Sequence, residues 1–219
     1  MKVFEGLHAF IWTSMSANNC NTYLIDGPAR VLIDPGHLHL FEHVASNLRQ
    51  LGLELSDIDL VLVTHGHPDH FEAAKLFKDL PAKFALSAED WRMIEEMGKY
   101  MGPAFDLEAY RPDFFLDSGN LTVKGVELEV IRSPGHSRGS VTLYWPKEKA
   151  LFSGDVLFRD GLGRTDLPGG NGATLKESIR GLEPLDAEWL LPGHGDIVSG
   201  SAQVKENFRR VEEYWFGYI

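Results

Sequence analysis

A run of nine residues, Val63–Phe71 (VTHGHPDHF), constrains this chain more than any other feature. Four potential metal ligands fall within six residues of this run, namely His65, His67, Asp69 and His70. Three protonated imidazoles on one tight loop would repel each other, and a divalent cation removes both the protons and the repulsion. The run therefore predicts a metal-binding loop between a strand at Leu60–Thr64 and a helix over Asp69–Leu80.

The spacing of the ligands predicts two metal ions. Alternate residues of an extended segment point the same way, so His65 and His67 can reach one ion, while Asp69 and His70 can reach a second. Four ligands leave both ions under-coordinated, so further donors are expected at the ends of other strands. Three candidates follow short apolar runs, each directly after a glycine that permits a tight turn: His136, Asp155 and His194. Asp34 has the same strand-end context, and we expect it to orient a ligand histidine through its other ring nitrogen.

Short strands and helices alternate along the remainder of the chain. Predicted strands are Asn21–Asp26, Arg30–Asp34, Val141–Trp145, Ala150–Ser153 and Trp189–Leu191, with a hairpin over Leu121–Ile131. Apolar residues at helical spacing predict further helices at His39–Leu51, Leu175–Leu182 and Ala202–Phe216. This mixture is typical of an α/β fold with sheets covered by helices, and we expect one domain over residues 1–219.

The segment Ser87–Asp117 differs from its surroundings because it contains two prolines and many large apolar residues. Its first part is predicted to be helical. The segment has two interpretations, either a satellite of the hydrophobic core or a pocket wall that acts as a lid. The large apolar residues are Trp91, Met93, Ile94, Met97, Tyr100, Met101, Phe105, Tyr110, Phe114 and Phe115.

The composition of the chain limits the classes of molecule that it is expected to bind. The net charge of −11 disfavours nucleic acid and anionic membrane surfaces, so we expect a small-molecule substrate. The chain has no apolar stretch near the roughly 20 residues of a membrane span, and its start (MKVFEGLHAF) does not resemble a signal peptide. The single cysteine, Cys20, cannot form an internal disulfide, which predicts a reducing, cytoplasmic location. Homo-oligomerisation is left open.

From Asp34 to His194, these motifs resemble the metallo-β-lactamase superfamily in kind and in order. The resemblance implies a four-layer αββα sandwich of two mixed sheets with outer helices. It assigns one metal to His65, His67 and His136, the other to Asp69, His70 and His194, with Asp155 bridging both. Two divalent ions are implied, with zinc favoured by the imidazole-rich ligands and iron or manganese as alternatives.

The same resemblance implies a hydrolase whose nucleophile is a hydroxide bridging the two ions. One ion polarises the scissile carbonyl, and Asp69 orients the hydroxide and carries a proton to the leaving group. The catalytic residues implied are therefore Asp69 and Asp155.

Within the superfamily, the run Ser153–Gly170 (SGDVLFRDGLGRTDLPGG) is similar to the glyoxalase II (hydroxyacylglutathione hydrolase) group. That group has the bridging aspartate that true β-lactamases lack, and its substrates are anionic thioesters. Its basic substrate contact corresponds to Arg164, and Arg138 is a second candidate; the alternative for Arg164 is a structural ion pair with Asp166. Only 25 residues follow His194, which is enough for one helix and points to the short glyoxalase II-like members.

Other activities of the superfamily are also open. Persulfide dioxygenases share the histidine motif and a G-R-T-D run, present here at Gly163–Asp166, and use one iron held by two histidines and a carboxylate. The complete set of second-metal ligands favours hydrolysis over this reaction. A lactonase is a further alternative, whereas an RNA-processing nuclease is disfavoured by the acidic charge and the short length.

Overall fold

The computed structural model describes residues 1–100, 102 and 106–219, and they form two compact units. The first unit comprises Met1–Leu116 with Val123–Val126, and the second comprises Asp117–Thr122 with Glu127–Ile219. Each unit contains one mixed sheet, helices and a hydrophobic core, which agrees with the α/β class. The assignment of residues 1–219 to one domain stays a prediction.

A seven-stranded sheet forms the frame of the first unit, with its strands in chain order. They are β1 (Lys2–Phe4), β2 (Leu7–Phe10), β3 (Thr22–Asp26), β4 (Arg30–Ile33), β5 (Leu60–Leu62), β6 (Lys83–Ser87) and β7 (Phe114–Leu116). Strands β1 to β4 pair antiparallel, whereas β4 to β7 pair in parallel. The carboxyl ends of β4 and β5 therefore lie at the same edge of the sheet. The loop that carries Asp34 begins there, as does the predicted ligand-bearing loop after β5.

The helices of the first unit are α1 (Glu42–Gln50), α2 (Pro68–Phe71) and α3 (Ala88–Gly98). Short 3-10 segments occupy Leu38–Leu40, Leu55–Asp57, Glu72–Phe77 and Leu107–Tyr110. Helix α1 buries Val44, Ala45 and Leu48 in a core that includes Leu32 and Val61, and Val44 and Leu48 belong to the apolar stripe that the sequence predicts. Each large aliphatic side chain buried in this way contributes about 1.5–3 kcal/mol.

The helix predicted over Asp69–Leu80 is α-helical only as far as Phe71. One α-helical turn, α2, is followed by a 3-10 segment at Glu72–Phe77. The amide of Ala73 donates to the carbonyl of Gly36 at 2.9 Å, a bond that lies outside the helix. The α-helical ladder is therefore interrupted by a tertiary hydrogen bond that no local pattern encodes.

The segment Ser87–Asp117 begins with helix α3, as predicted. Trp91, Ile94 and Tyr110 are buried in the core of the first unit, which agrees with the satellite-core interpretation for these residues. By contrast, Tyr100 is 90% exposed. Met101 and Phe105 lie outside the described residues, and the pocket-wall interpretation stays a prediction.

The second unit is built on a six-stranded mixed sheet in the order β15-β14-β11-β10-β9-β8. Its strands are β8 (Gly119–Val123), β9 (Val126–Arg132), β10 (Val141–Trp145), β11 (Ala150–Gly154), β14 (Trp189–Pro192) and β15 (Val198–Ser199), with a separate pair β12 (Leu157–Phe158) and β13 (Gly161–Leu162). Strand β10 is antiparallel to β9 and β11, and β11 is parallel to β14. Strands β9, β11 and β14 therefore run in one direction and end at the same edge.

Helices α4 (Gly172–Leu182) and α5 (Ser201–Trp215) belong to the second unit, and a 3-10 segment lies at Pro146–Glu148. Helix α4 begins three residues before the predicted start because the side chain of Asn171 accepts a hydrogen bond from the amide of Thr174 at 2.9 Å. Its buried residues pack with Leu190 and Val211 in the core of this unit. Among the described residues, none of the helices has the length and apolar character needed to cross a bilayer.

Candidate metal-ligand clusters

The loop after β5 gathers three imidazoles of the first unit. The ring centroid of His65 lies 4.8 Å from that of His67 and 4.0 Å from that of His70. Asp69 precedes His70 in α2, and its Oδ2 lies 4.0 Å from the His70 Nε2. His65 and His70 are almost fully buried. A divalent cation suits this donor set because it binds neutral imidazoles and carboxylates.

Asp34 fastens this loop to the end of β4. Its Oδ1 accepts a hydrogen bond from the Thr64 amide at 2.8 Å, and its Oδ2 accepts one from the Thr64 hydroxyl at 2.7 Å. The same Oδ2 lies 2.9 Å from the Nδ1 of His70. A proton held at Nδ1 by this carboxylate leaves Nε2 as the nitrogen that can bind a metal. The contact expected of Asp34 is present, and its effect on metal binding stays a prediction.

Asp90 braces the turn between His65 and His67, and the sequence analysis missed it. This fully buried carboxylate accepts a hydrogen bond from the amide of Gly66 at 2.8 Å. A Cβ at Gly66 would lie 3.1 Å from the Asp90 Cβ, so the turn packs tightly on α3. The sequence signal for Asp90 was the run Ser87-Ala-Glu-Asp90, which is typical of a helix N-terminus. In the structure, the Asp90 carboxylate binds the amide of Gly66 in the metal-ligand loop.

Asn18 is a second residue that the sequence analysis missed. Its Nδ2 donates to the Oδ2 of Asp69 at 2.7 Å, across 51 residues of sequence. This bond fixes one carboxylate oxygen of Asp69. No local pattern identifies Asn18, because the contact arises only when the segment before β3 folds against α2.

The second unit brings together the other three predicted ligands, each from the end of a different strand. His136 follows β9, Asp155 follows β11 and His194 follows β14, as the strand directions require. The Oδ2 of Asp155 lies 3.6 Å from the Nε2 of His136 and 3.4 Å from the Nε2 of His194. Both distances exceed the roughly 2.7–3.2 Å of a normal N–H···O bond. Two ligand atoms that are each about 2.1 Å from one tetrahedral ion stand about 3.4 Å apart, so the spacing fits shared metal ligation.

The Arg164 backbone orients His136. The Nδ1 of His136 lies 2.7 Å from the Arg164 carbonyl oxygen, which directs the proton to Nδ1 and leaves Nε2 toward Asp155. Gly163 permits this approach, because a Cβ there would lie 1.8 Å from the Asp155 carbonyl oxygen and 2.9 Å from the His136 Nδ1. The glycine of the G-R-T-D run is therefore required for close backbone packing.

The side chain of Arg164 is exposed and forms the ion pair that the sequence left as an alternative. Its Nε and Nη2 donate to the two carboxylate oxygens of Asp166 at 2.7 and 2.6 Å. This pairing lowers the pKa of Asp166 to about 2. Arg138, also exposed, lines a cavity of about 360 Å³ together with Gly169 and Asn171. The substrate roles of both arginines stay predictions.

Comparison with known proteins identifies the family of this chain. Residues 15–194 match the model of the metallo-β-lactamase superfamily. A probable metallo-hydrolase of Methanocaldococcus jannaschii is 32% identical over 81% of this chain and 88% of its own. The hydroxyacylglutathione hydrolase GloC of Haemophilus influenzae is 32% identical over 86% of this chain and 91% of its own.

A solved structure extends the comparison to three dimensions. The protein TTHA1623, crystallised in a di-iron-bound form, is 32% identical and superimposes with a TM-score of 0.70, covering 86% of this chain and 93% of that one. Residues 15–194, which match the family model, contain all seven predicted ligands. The two relatives support metal-dependent hydrolysis as the general activity. By sequence, fold and donor chemistry, this chain belongs to the metallo-β-lactamase superfamily.

Proposed function

We propose that this protein is a binuclear metal-dependent thioester hydrolase of the glyoxalase II type. The two ligand clusters act together in this proposal and hold two divalent ions, with zinc as the expected metal. His65, His67 and His136 would hold the first ion, Asp69, His70 and His194 would hold the second, and Asp155 would be shared by both. The observation that carries the proposal is the position of Asp155, whose Oδ2 stands at ligand–ligand spacing from two histidines that follow different strands.

The protein residues have separate tasks in such a reaction. When bound, the ions acidify a shared water and polarise the acyl carbonyl. Asp69 orients the attacking water and passes its proton to the leaving thiolate. Asn18 keeps Asp69 in place by donating to one of its oxygens, while Asp34 and the Arg164 carbonyl hold His70 and His136 by their Nδ1 atoms.

An anionic thioester is the substrate class that the charges favour. Arg164 and Arg138 are exposed cations in a chain of net charge −11, so they offer local positive charge for a substrate carboxylate. The ion pair of Arg164 with Asp166 does not prevent this, because an exposed pair is weak and exchanges readily with water or ligand. GloC, a relative of similar length, is named as a hydroxyacylglutathione hydrolase, which supports the same class. The reducing cytoplasm is the proposed setting, in which a thiol product stays reduced.

A mononuclear iron persulfide dioxygenase is the second candidate. The Gly163–Asp166 run favours it, and the di-iron form of TTHA1623 supports iron as a metal that such ligands accept.

Metal analysis of protein purified without added metal tests the proposal, combined with two assays. We expect two zinc ions per chain and hydrolysis of an S-acyl glutathione, followed through the released thiol. One iron per chain, with thiol-dependent oxygen uptake and no hydrolysis, would overturn the proposal in favour of the dioxygenase.

A further inference from the structure

We propose that His37, His39 and Glu72 form a separate, peripheral site for a transition metal ion such as Zn²⁺. Each of the three side chains offers a ligand atom, and these atoms all lie within 4.8 Å of one another. None of the three belongs to the ligand set proposed above, and all three lie in the first unit. The inference does not depend on the proposed thioester hydrolysis.

The local backbone holds His37 in place and brings His39 close to it. The imidazole rings of His37 and His39 lie 4.9 Å apart on either side of Leu38, at the start of the 3-10 segment Leu38–Leu40. The amide of His37 donates to the Oδ1 of the buried Asn19 at 2.8 Å, which fixes the position of the first histidine. This ligand is therefore already positioned before an ion binds.

Glu72 faces these histidines from the segment after α2. Its Oε2 lies 2.7 Å from the Nδ1 of His37 and accepts a hydrogen bond from the amide of Leu38 at 3.3 Å. These two bonds fasten the loop without help from His39. Within the described part of the chain the ring of His39 has no hydrogen bond or ion pair. His39 therefore does not help to attach this loop to Glu72. A metal site would give a role to this exposed imidazole, whose ring centroid lies 4.9 Å from that of His37 in the histidine–glutamate pair.

The donor set selects the class of ion. Two imidazoles and one carboxylate favour Zn²⁺, Ni²⁺ and Cu²⁺ over Mg²⁺ and Ca²⁺, which prefer oxygen ligands alone. Glu72 and His37 are half-buried whereas His39 is exposed, so one side of the site is open to solvent and water can complete the coordination. An open site with three protein ligands binds more weakly than a closed one with four.

An ion at this position would join two segments that meet beside the first ligand cluster. The amide of Gly36 donates to the carbonyl of His70 at 3.1 Å, and the amide of Ala73 donates to the carbonyl of Gly36 at 2.9 Å. Cross-linking His37 and His39 to Glu72 would stabilise this contact and raise the melting temperature as the free metal concentration rises.

Titration of the metal-loaded protein with Zn²⁺ tests the proposal. The full chain is loaded with its resident metal, passed through a desalting column and titrated calorimetrically. We expect one further Zn²⁺ equivalent per chain in the wild type, and a loss in its affinity of at least about tenfold in both His39→Ala and Glu72→Gln. His39 is exposed and the glutamine keeps an acceptor for the Leu38 amide, so both variants should retain the wild-type fold and melting temperature without added metal.

His8→Gln is the matched control, because it removes a half-buried imidazole of β2 that lies outside every proposed site. It should bind the further Zn²⁺ as the wild type does. Absence of a further equivalent in the wild type, or equal affinity in His39→Ala, would overturn the proposal. Resident metal content and thioester hydrolysis are measured on the same samples, so failure at this site is distinguishable from failure of the proposed function.

Discussion

The two ligand clusters reach similar chemistry by different routes. In the first unit, His65, His67, Asp69 and His70 come from one six-residue stretch. The buried carboxylate of Asp34 accepts a hydrogen bond from the preceding Thr64 amide and faces the His70 Nδ1, and that of Asp90 accepts one from the Gly66 amide. In the second unit, three ligands come from the ends of three strands and are aligned by the sheet itself.

This difference predicts different responses to damage. A cluster held by many hydrogen bonds weakens by steps as each bond is removed. The cluster of the second unit depends on one shared carboxylate and on close backbone packing. It has few intermediate states, so a single substitution should abolish its metal binding abruptly.

The largest expected effect tests the role of the shared carboxylate. Asp155→Ala should lose most bound metal and lower thioester hydrolysis by at least about 10³-fold, because one change removes a ligand from both proposed ions. Metal content by mass spectrometry and kcat/KM are the measurements. Asp186→Ala, which removes an exposed carboxylate paired with Lys149 in the same unit, is the control and should behave as the wild type. Retention of two tightly bound metals by Asp155→Ala would remove the bridging role.

The next largest effect is on the free energy of unfolding, when a glycine beside each cluster is replaced by alanine. Gly163→Ala should destabilise the protein by about 3 kcal/mol or more, because its Cβ would lie 1.8 Å from a backbone oxygen that cannot move aside. Gly66→Ala should cost only about 1 kcal/mol, because its Cβ would meet side-chain atoms at 3.1–3.2 Å.

Denaturant unfolding measures both variants. Gly181→Ala is the control, because a Cβ there meets nothing within 4 Å in the described chain and the residue lies in α4. It should stabilise the protein by up to about 1 kcal/mol. Equal losses for Gly163→Ala and Gly66→Ala would contradict the contrast between an abrupt and a graded cluster.

A smaller effect on metal affinity is expected when the contact between Asp34 and His70 in the first cluster is weakened. Asp34→Asn keeps the size of the side chain but loses the charge that faces the His70 Nδ1, so metal affinity should fall by about 10–100-fold. Competition with a fluorescent zinc chelator measures this change. Asp113→Asn is the control, since that carboxylate accepts a hydrogen bond from the Phe84 amide far along the chain from the ligands. An unchanged zinc affinity in Asp34→Asn would show that the contact with His70 does not contribute.

The smallest effect concerns substrate charge. Arg164→Ala should raise KM about tenfold for an anionic thioester, and leave KM for a small neutral ester nearly unchanged. Arg180→Ala removes an exposed arginine paired with Glu212 in the same unit and is the control. Equal effects of Arg164→Ala on the two substrates would exclude charge recognition by this side chain.

The sequence was sufficient where the signal is local. Strand β10 and helix α5 were predicted to within a residue, because alternation or helical spacing of apolar residues is unbroken there. The His65–His70 loop was identified from its residues alone. His136, Asp155 and His194 could be proposed as ligands from their strand-end context, but their grouping required the family resemblance, because 58 residues separate the first from the last.

Features that depend on tertiary contacts were not predicted. Strands β1 and β7 have only three residues each, which is too short for an apolar alternation to be detected. The 3-10 segment after α2 results from the bond between Ala73 and Gly36, and the contacts of Asn18 and Asp90 join residues that are distant in sequence. None of these interactions has a periodicity or a composition from which it could be inferred.

Asp34 joins so many interactions that its mutational tolerance should be very low. Its backbone is left-handed (φ 54°), its amide donates to the Leu62 carbonyl at 2.9 Å, and its own carbonyl accepts from the Thr22 hydroxyl at 2.6 Å. Glycine would suit the backbone but remove the carboxylate, and glutamate would keep the charge but strain the turn, so only asparagine satisfies most of these demands. Directed evolution toward new substrates should therefore leave this position fixed while the exposed arginines vary.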